Sequence, residues 1–185
     1  MPLTTLDSKS ALIVVDLQKG VASFPVVHPV AEVVKNAGAL AAAFRRHDLP
    51  VVLVNVTGGA PGRAELGFRG PFPPDFAELL PELNHQPQDH AVTKRTWGAF
   101  TGTGLEAYLR DAGVTQVVLC GVATSIGVES TARYAHELGF NVTLAVDAMT
   151  DMDADAHANS LARIFPRLGE TGVTKEIIGL LDKRS

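Results

Sequence analysis

Short, largely apolar runs alternate along this chain with longer stretches whose apolar residues recur every three or four positions. Residues 10–16, 51–56, 116–121 and 141–147 are such runs, with a weaker one at 91–94. Runs that are apolar at successive rather than alternate positions suit strands buried on both faces, as in a parallel sheet. Between them Val30, Val33, Val34, Ala37, Leu40, Ala41 and Phe44 put one apolar stripe on a helix ending near Asp48. Residues 105–111, 125–138, 155–165 and 174–181 read as helices in the same way, and Gly113 and Gly139 follow two of them where a left-handed cap would sit. This alternation predicts an α/β fold, with a parallel sheet covered by helices on both faces and joined by right-handed crossovers.

Composition narrows the function classes. The 185 residues are 46% hydrophobic and 19% charged, the balance of a globular domain with a sizeable core, and neither repeats nor low-complexity tracts interrupt residues 1–185, which read as a single domain. The net charge of −4, with no clustered basic stripe, argues against a nucleic-acid partner. No apolar stretch approaches the roughly 20 residues that span a bilayer, and the first ten residues lack a basic segment followed by an apolar one, so no membrane partner and a cytoplasmic location are expected. The single cysteine, Cys120, excludes an internal disulfide and a thiolate zinc site. Five glycines and four prolines crowd residues 57–74, among them Gly67 and Gly70. A loop that long in a compact domain is expected to be functional or a lid.

In an open α/β sheet, ligands bind beyond the carboxyl ends of the strands. The first strand ends in Asp16, Leu17 and Gln18, the weak strand in Lys94, and the strand at 116–121 runs into Val122, Ala123, Thr124, Ser125, Ile126 and Gly127. A carboxylate, an ammonium and a helix start would then converge on one crevice. Simpler readings stand beside this one: Asp16 as a turn cap, Lys94 and Arg95 as a solvated basic corner, Thr124 or Ser125 as a helix N-cap. Gly127 is less easily accounted for, because glycine in a first helical turn costs about 1 kcal/mol relative to alanine, so close approach to the backbone is implied.

Asp16-Leu17-Gln18 after an apolar strand, Lys94 with Phe100 and Thr103 behind it, and the stretch from Gly121 to Glu129 together resemble the isochorismatase-like hydrolase superfamily, over nearly the whole chain. The resemblance implies a three-layer α/β/α doubly wound sheet of about six parallel strands, an Asp/Lys/Cys site in most members, a non-proline cis peptide at Val122-Ala123, and a homo-oligomer. The nucleophilic Cys of that superfamily falls on Gly127 here, and Cys120 lies seven residues earlier inside a strand, as a buried thiol. Isochorismatases also carry Gly there. They cleave a vinyl ether: an acid protonates the methylene carbon and water adds to the oxocarbenium ion, with no covalent enzyme intermediate. By that resemblance Asp16 is the general acid, Lys94 holds Asp16 or the substrate, and amides after Ala123, including that of Gly127, bind a carboxylate or carbonyl oxygen. Gln18, Phe24, Trp97, Phe100, Val122, Ala123 and Thr124 complete the expected substrate site, although Phe24, Trp97 and Phe100 read equally as core or interface residues.

Where isochorismatases carry a Gln after the second strand, this chain has Val56, Thr57, Gly58 and Gly59, so isochorismate is one candidate substrate among others. No carrier domain is expected after Ser185. A G-x-G-x-x-A match at residues 102–107 lies seven residues beyond its strand and lacks the ribose-binding acid. Asp151, Asp153 and Asp155 read as charges at a helix start, not a calcium loop, because Ala156 and Ala162 stand where Gly and Glu are required. No metal and no cofactor are expected, and the partner is a small-molecule substrate. A catalytically silent binding protein of the same fold is the rival, against which the pairing of Asp16 with Lys94 counts.

Overall fold

The four apolar runs and the weaker fifth all become strands: β1 (Ser10–Val15), β2 (Val51–Val56), β3 (His90–Lys94), β4 (Gln116–Val122) and β5 (Asn141–Thr150). A sixth, β6 (Glu170–Gly172), has only three residues and no apolar run to announce it. The computed structural model describes residues 2–66 and 71–183, so Gly67 and Gly70 lie outside the described residues. The sheet order is β3-β2-β1-β4-β5-β6, with every strand pair parallel. β1 and β4 are buried along their whole length, which is why neither shows a polar alternation.

The helices are α1 (Lys19–Ala22), α2 (Val30–Arg46), α3 (Leu105–Asp111), α4 (Glu129–Glu137), α5 (Ala154–Asn159), α6 (Phe165–Leu168) and α7 (Thr174–Asp182). Successive β1 residues point to opposite faces. Leu12 and Val14 join Leu40, Phe44, Ile177 and Leu181 in the core under α2 and α7. Ile13 and Val15 join Leu105, Leu109, Ala132 and Phe165 in the core under α3, α4 and α6. The helices therefore lie on both faces, as the three-layer arrangement requires. No helix among the described residues is long and apolar enough to cross a membrane.

Two expected helices are divided. Residues 124–128 form a π-helical turn ahead of α4, and 160–164 form another between α5 and α6. Ala123 opens the first without any side-chain cap, so neither Thr124 nor Ser125 acts as the expected N-cap.

The chain reverses its winding between β1 and β4, and the crevice of a doubly wound sheet lies at that point. β1 and β4 approach very closely there. Gly121 has φ of 120°, and a Cβ on it would stand 1.9 Å from the Val15 carbonyl oxygen, so only glycine fits.

Candidate active site

β1 and β4 deliver Asp16 and the 121–127 segment side by side, and the long Lys94 stem crosses from the end of β3 to meet them. Asp16 has φ of 51°, a left-handed conformation that Asp tolerates better than most residues. One carboxylate oxygen, Oδ2, lies 2.7 Å from Lys94 Nζ, and both side chains are almost fully buried, at 8% and 2% exposed. The other, Oδ1, is buried with no hydrogen-bond partner. An unpartnered buried carboxylate oxygen is costly, and such groups concentrate where a ligand or a proton is handled. Burial raises the Asp16 pKa to about 6, against the opposing pull of the Lys94 ammonium.

Lys94 also donates to the carbonyls of Thr96 at 3.0 Å and Trp97 at 2.8 Å. An ammonium has three N–H groups, so Lys94 is fully engaged and positions Asp16; it has none left for a substrate.

Asp16, Lys94 and Gly127 border one cavity of about 1020 Å³, together with Phe24, Trp97, Val122 and Ala123. The Val122-Ala123 peptide is cis. Described residues of 57–66 and 71–72 form part of the wall. A Cβ at Gly127 would stand 3.3 Å from Asp16 Oδ2, 3.3 Å from the Val122 carbonyl and 3.0 Å from Val15 Cγ1, so any side chain there would press on the carboxylate. With glycine at residue 127 that space stays open.

Three expected site residues are elsewhere employed. Gln18 is fully buried: its Nε2 donates to the carbonyls of Val56 at 3.0 Å and Phe76 at 2.9 Å, and its Oε1 accepts from the Val56 amide at 2.7 Å. It pins the end of β2 and so shapes the cavity without lining it. Phe100 is buried in the core under α3 and α4, stacked on Tyr134, because its ring packs away from the strand ends. The Thr124 hydroxyl turns to His157 Nδ1 at 2.9 Å, and the residue is wholly buried.

The expected amide site contracts for a similar reason. Asp151, at the end of β5, takes the Ser125 amide on Oδ2 at 2.6 Å, and the Ala123 carbonyl accepts from Ile126 at 3.1 Å and Val128 at 3.0 Å. Of the first five amides after Ala123, the candidate for a ligand oxygen is that of Gly127, which borders the cavity. Asp151 thus sits at the start of the 124–128 turn, whereas Asp153 caps α5 through the Ala156 amide at 2.8 Å. Its place at a strand end, the rule that singles out Asp16, is the signal that marks Asp151 as part of the site's support. Arg63 and Arg95 also line the cavity.

Cys120 is fully buried within β4, and burial drives its thiol well above the ordinary range, so it has no part in the crevice. The variant Gly127→Cys sets its Cβ 3.3 Å from Asp16 Oδ2, on the wall of the cavity. Residue 127 should then alkylate with iodoacetamide faster than Cys120, whose thiol is fully buried. Alkylation no faster than that of Cys120 would contradict the placement of residue 127 on the cavity wall.

Comparison with protein families matches residues 10–176 to the isochorismatase domain. Isochorismatase family protein YecD of Escherichia coli O157:H7 is 44% identical over 181 residues, covering 93% of this chain and 96% of that protein. YwoC of Bacillus subtilis strain 168, of the same family, is 42% identical over 178 residues, covering 92% and 93%. Among solved structures, an isochorismatase family protein from Burkholderia thailandensis superposes with a TM-score of 0.92 at 38% identity, covering 96% of this chain and 98% of that one.

Proposed function

The chain belongs to the isochorismatase family of hydrolases, and from that premise we propose that its cavity cleaves a small carboxylated substrate, a cyclic vinyl ether being the form that suits the site, by general-acid catalysis from Asp16 without a covalent cysteine intermediate. The observation that carries this reading is the division of labour within one carboxyl group: Lys94 fixes Oδ2, while Oδ1 is buried with no partner. A carboxyl group with a pKa of about 6 is protonated often enough near neutrality to act as an acid.

The proton on Asp16 passes to the methylene carbon of the vinyl ether, which becomes a methyl group as the π electrons form the new C–H bond. The ether oxygen shares the positive charge as an oxocarbenium ion, and the Asp16 carboxylate left behind stabilises it. Water adds to the oxygen-bearing carbon of that ion to give a hemiketal, and the proton it loses returns to Asp16. The hemiketal then collapses to a ketone and an alcohol, with one water consumed. Gly127 leaves room for the substrate against the carboxylate, and its amide is the donor for a substrate carboxylate. Val122, Phe24 and Trp97 supply apolar wall, which raises the electrostatic contrast between neutral substrate ether and cationic intermediate.

The test is hydrolysis of isochorismate in deuterium oxide, the keto acid being trapped by reduction as it forms. The product should carry one solvent deuterium in its methyl group, and iodoacetamide should leave the rate unchanged. A product without deuterium, or loss of activity on alkylation, would contradict the mechanism.

A further inference from the structure

The cavity holds more positive charge than the buried pair uses. Among its described lining residues Asp16 is the only carboxylate, and Lys94 already answers it. With all three Lys94 donors engaged, direct recognition of a substrate anion by side chains falls to other cations.

Arg95, the next residue along, lines the same cavity and has no acceptor among the described residues. Its guanidinium lies against the backbone of Gly58. A Cβ at residue 58 would stand 3.2 Å from Arg95 Nε, 3.3 Å from Nη2 and 3.4 Å from Cζ, tighter than side chains ordinarily pack. The absence of a side chain at Gly58 thus seats the guanidinium flat on the loop leaving β2. Arg63, from the same loop, also lines the cavity without an acceptor among the described residues. A guanidinium presents paired N–H donors matched to the oxygens of a carboxylate or phosphate, and a site bordered by two of them without counter-ions favours an anion.

We propose that the substrate carries a second anionic group, besides the carboxylate read at the Gly127 amide, and that Arg95, seated on Gly58, is the specificity-determining residue that receives it. This rests on the proposed function only in taking the cavity as the hydrolytic site. A carboxylate and a phosphate ester share the required chemistry.

Trp97 is the only tryptophan of the chain and lines the cavity, so its fluorescence reports occupancy. Three probes separate the cases: benzoate, benzene-1,3-dicarboxylate and 3-carboxyphenyl phosphate, each titrated by fluorescence and by calorimetry. At least one of the two probes with a second anionic group should bind the parent ten times more tightly than benzoate, and the one with the larger gain identifies the group. In Arg95→Gln that preference should fall below threefold while benzoate affinity changes less than twofold. Arg95→Lys should keep only part of it, because an ammonium cannot pair bidentately. The proposal is overturned if neither doubly anionic probe binds the parent more tightly than benzoate, if neither binds at all, or if Arg95→Gln retains the preference. None of these readouts depends on turnover. A preserved preference with no Asp16-dependent hydrolysis would defeat the proposed function and leave this inference standing.

Discussion

Asp16→Asn should lower vinyl-ether hydrolysis by about 10²- to 10⁴-fold, the usual contribution of a positioned general acid. The substitution nearly preserves shape, and the amide oxygen can still accept from Lys94 Nζ, which now sits 2.7 Å from Oδ2. What the amide cannot do is deliver a proton to carbon. Substrate affinity should therefore change far less than kcat, and thermal unfolding should show the variant folded. Were the site a silent binding pocket, turnover would be absent from the parent as well, and binding alone would remain. Activity within tenfold of the parent in Asp16→Asn would remove Asp16 from the chemistry.

Lys94→Met should affect both stability and the acid. Removing one partner of a buried ion pair leaves the other uncompensated, typically at about 3–5 kcal/mol. Here the cost depends on pH. Asp16 titrates at about 6 in the folded protein against 3.8 in its ordinary state, so burying it favours the protonated form. Its contribution to stability is complete below about pH 4 and is lost as pH rises toward 6, a loss of about 3 kcal/mol over that window. Without Lys94 the folded-state pKa rises further, and the loss continues to higher pH by about 1.4 kcal/mol for each added unit. Urea unfolding of Lys94→Met should consequently show a larger deficit against the parent at pH 8 than at pH 5. An equal deficit at the two pH values would mean that Lys94 does not govern the Asp16 charge.

The sheet is legible in the sequence wherever a strand is buried on both faces, because burial alone dictates a continuous apolar run, as at Ala11 to Val15 and Val117 to Cys120. β6 is not legible: it is a three-residue edge strand whose backbone pairing with β5 makes no demand on its side chains. Asp16 and Lys94 can be found from strand ends, since the fold class says where strand ends lead. Thr124 and Gln18 cannot be assigned that way, because their hydrogen bonds go to partners far along the chain, His157 for one and Val56 and Phe76 for the other. Nor can the contact at the start of the π turn at 124–128, where Asp151, just past the end of β5, takes the Ser125 amide and no local side-chain cap is present. Arg95 reads as an ordinary exposed arginine until the missing Cβ of Gly58 is seen beneath its guanidinium.

The most direct measurement of the central claim is the pH dependence of kcat/KM for vinyl-ether hydrolysis between pH 4.5 and 9, in parent and Asp16→Asn. A required acid must be protonated, so kcat/KM should be level at low pH, bend near the Asp16 pKa of about 6 and fall tenfold per unit above it, and the bend should be absent from the residual rate of the variant. A profile that rises through pH 6 to 8, as a carboxylate base or a thiolate nucleophile would require, or one that keeps the same bend in Asp16→Asn, would contradict the account.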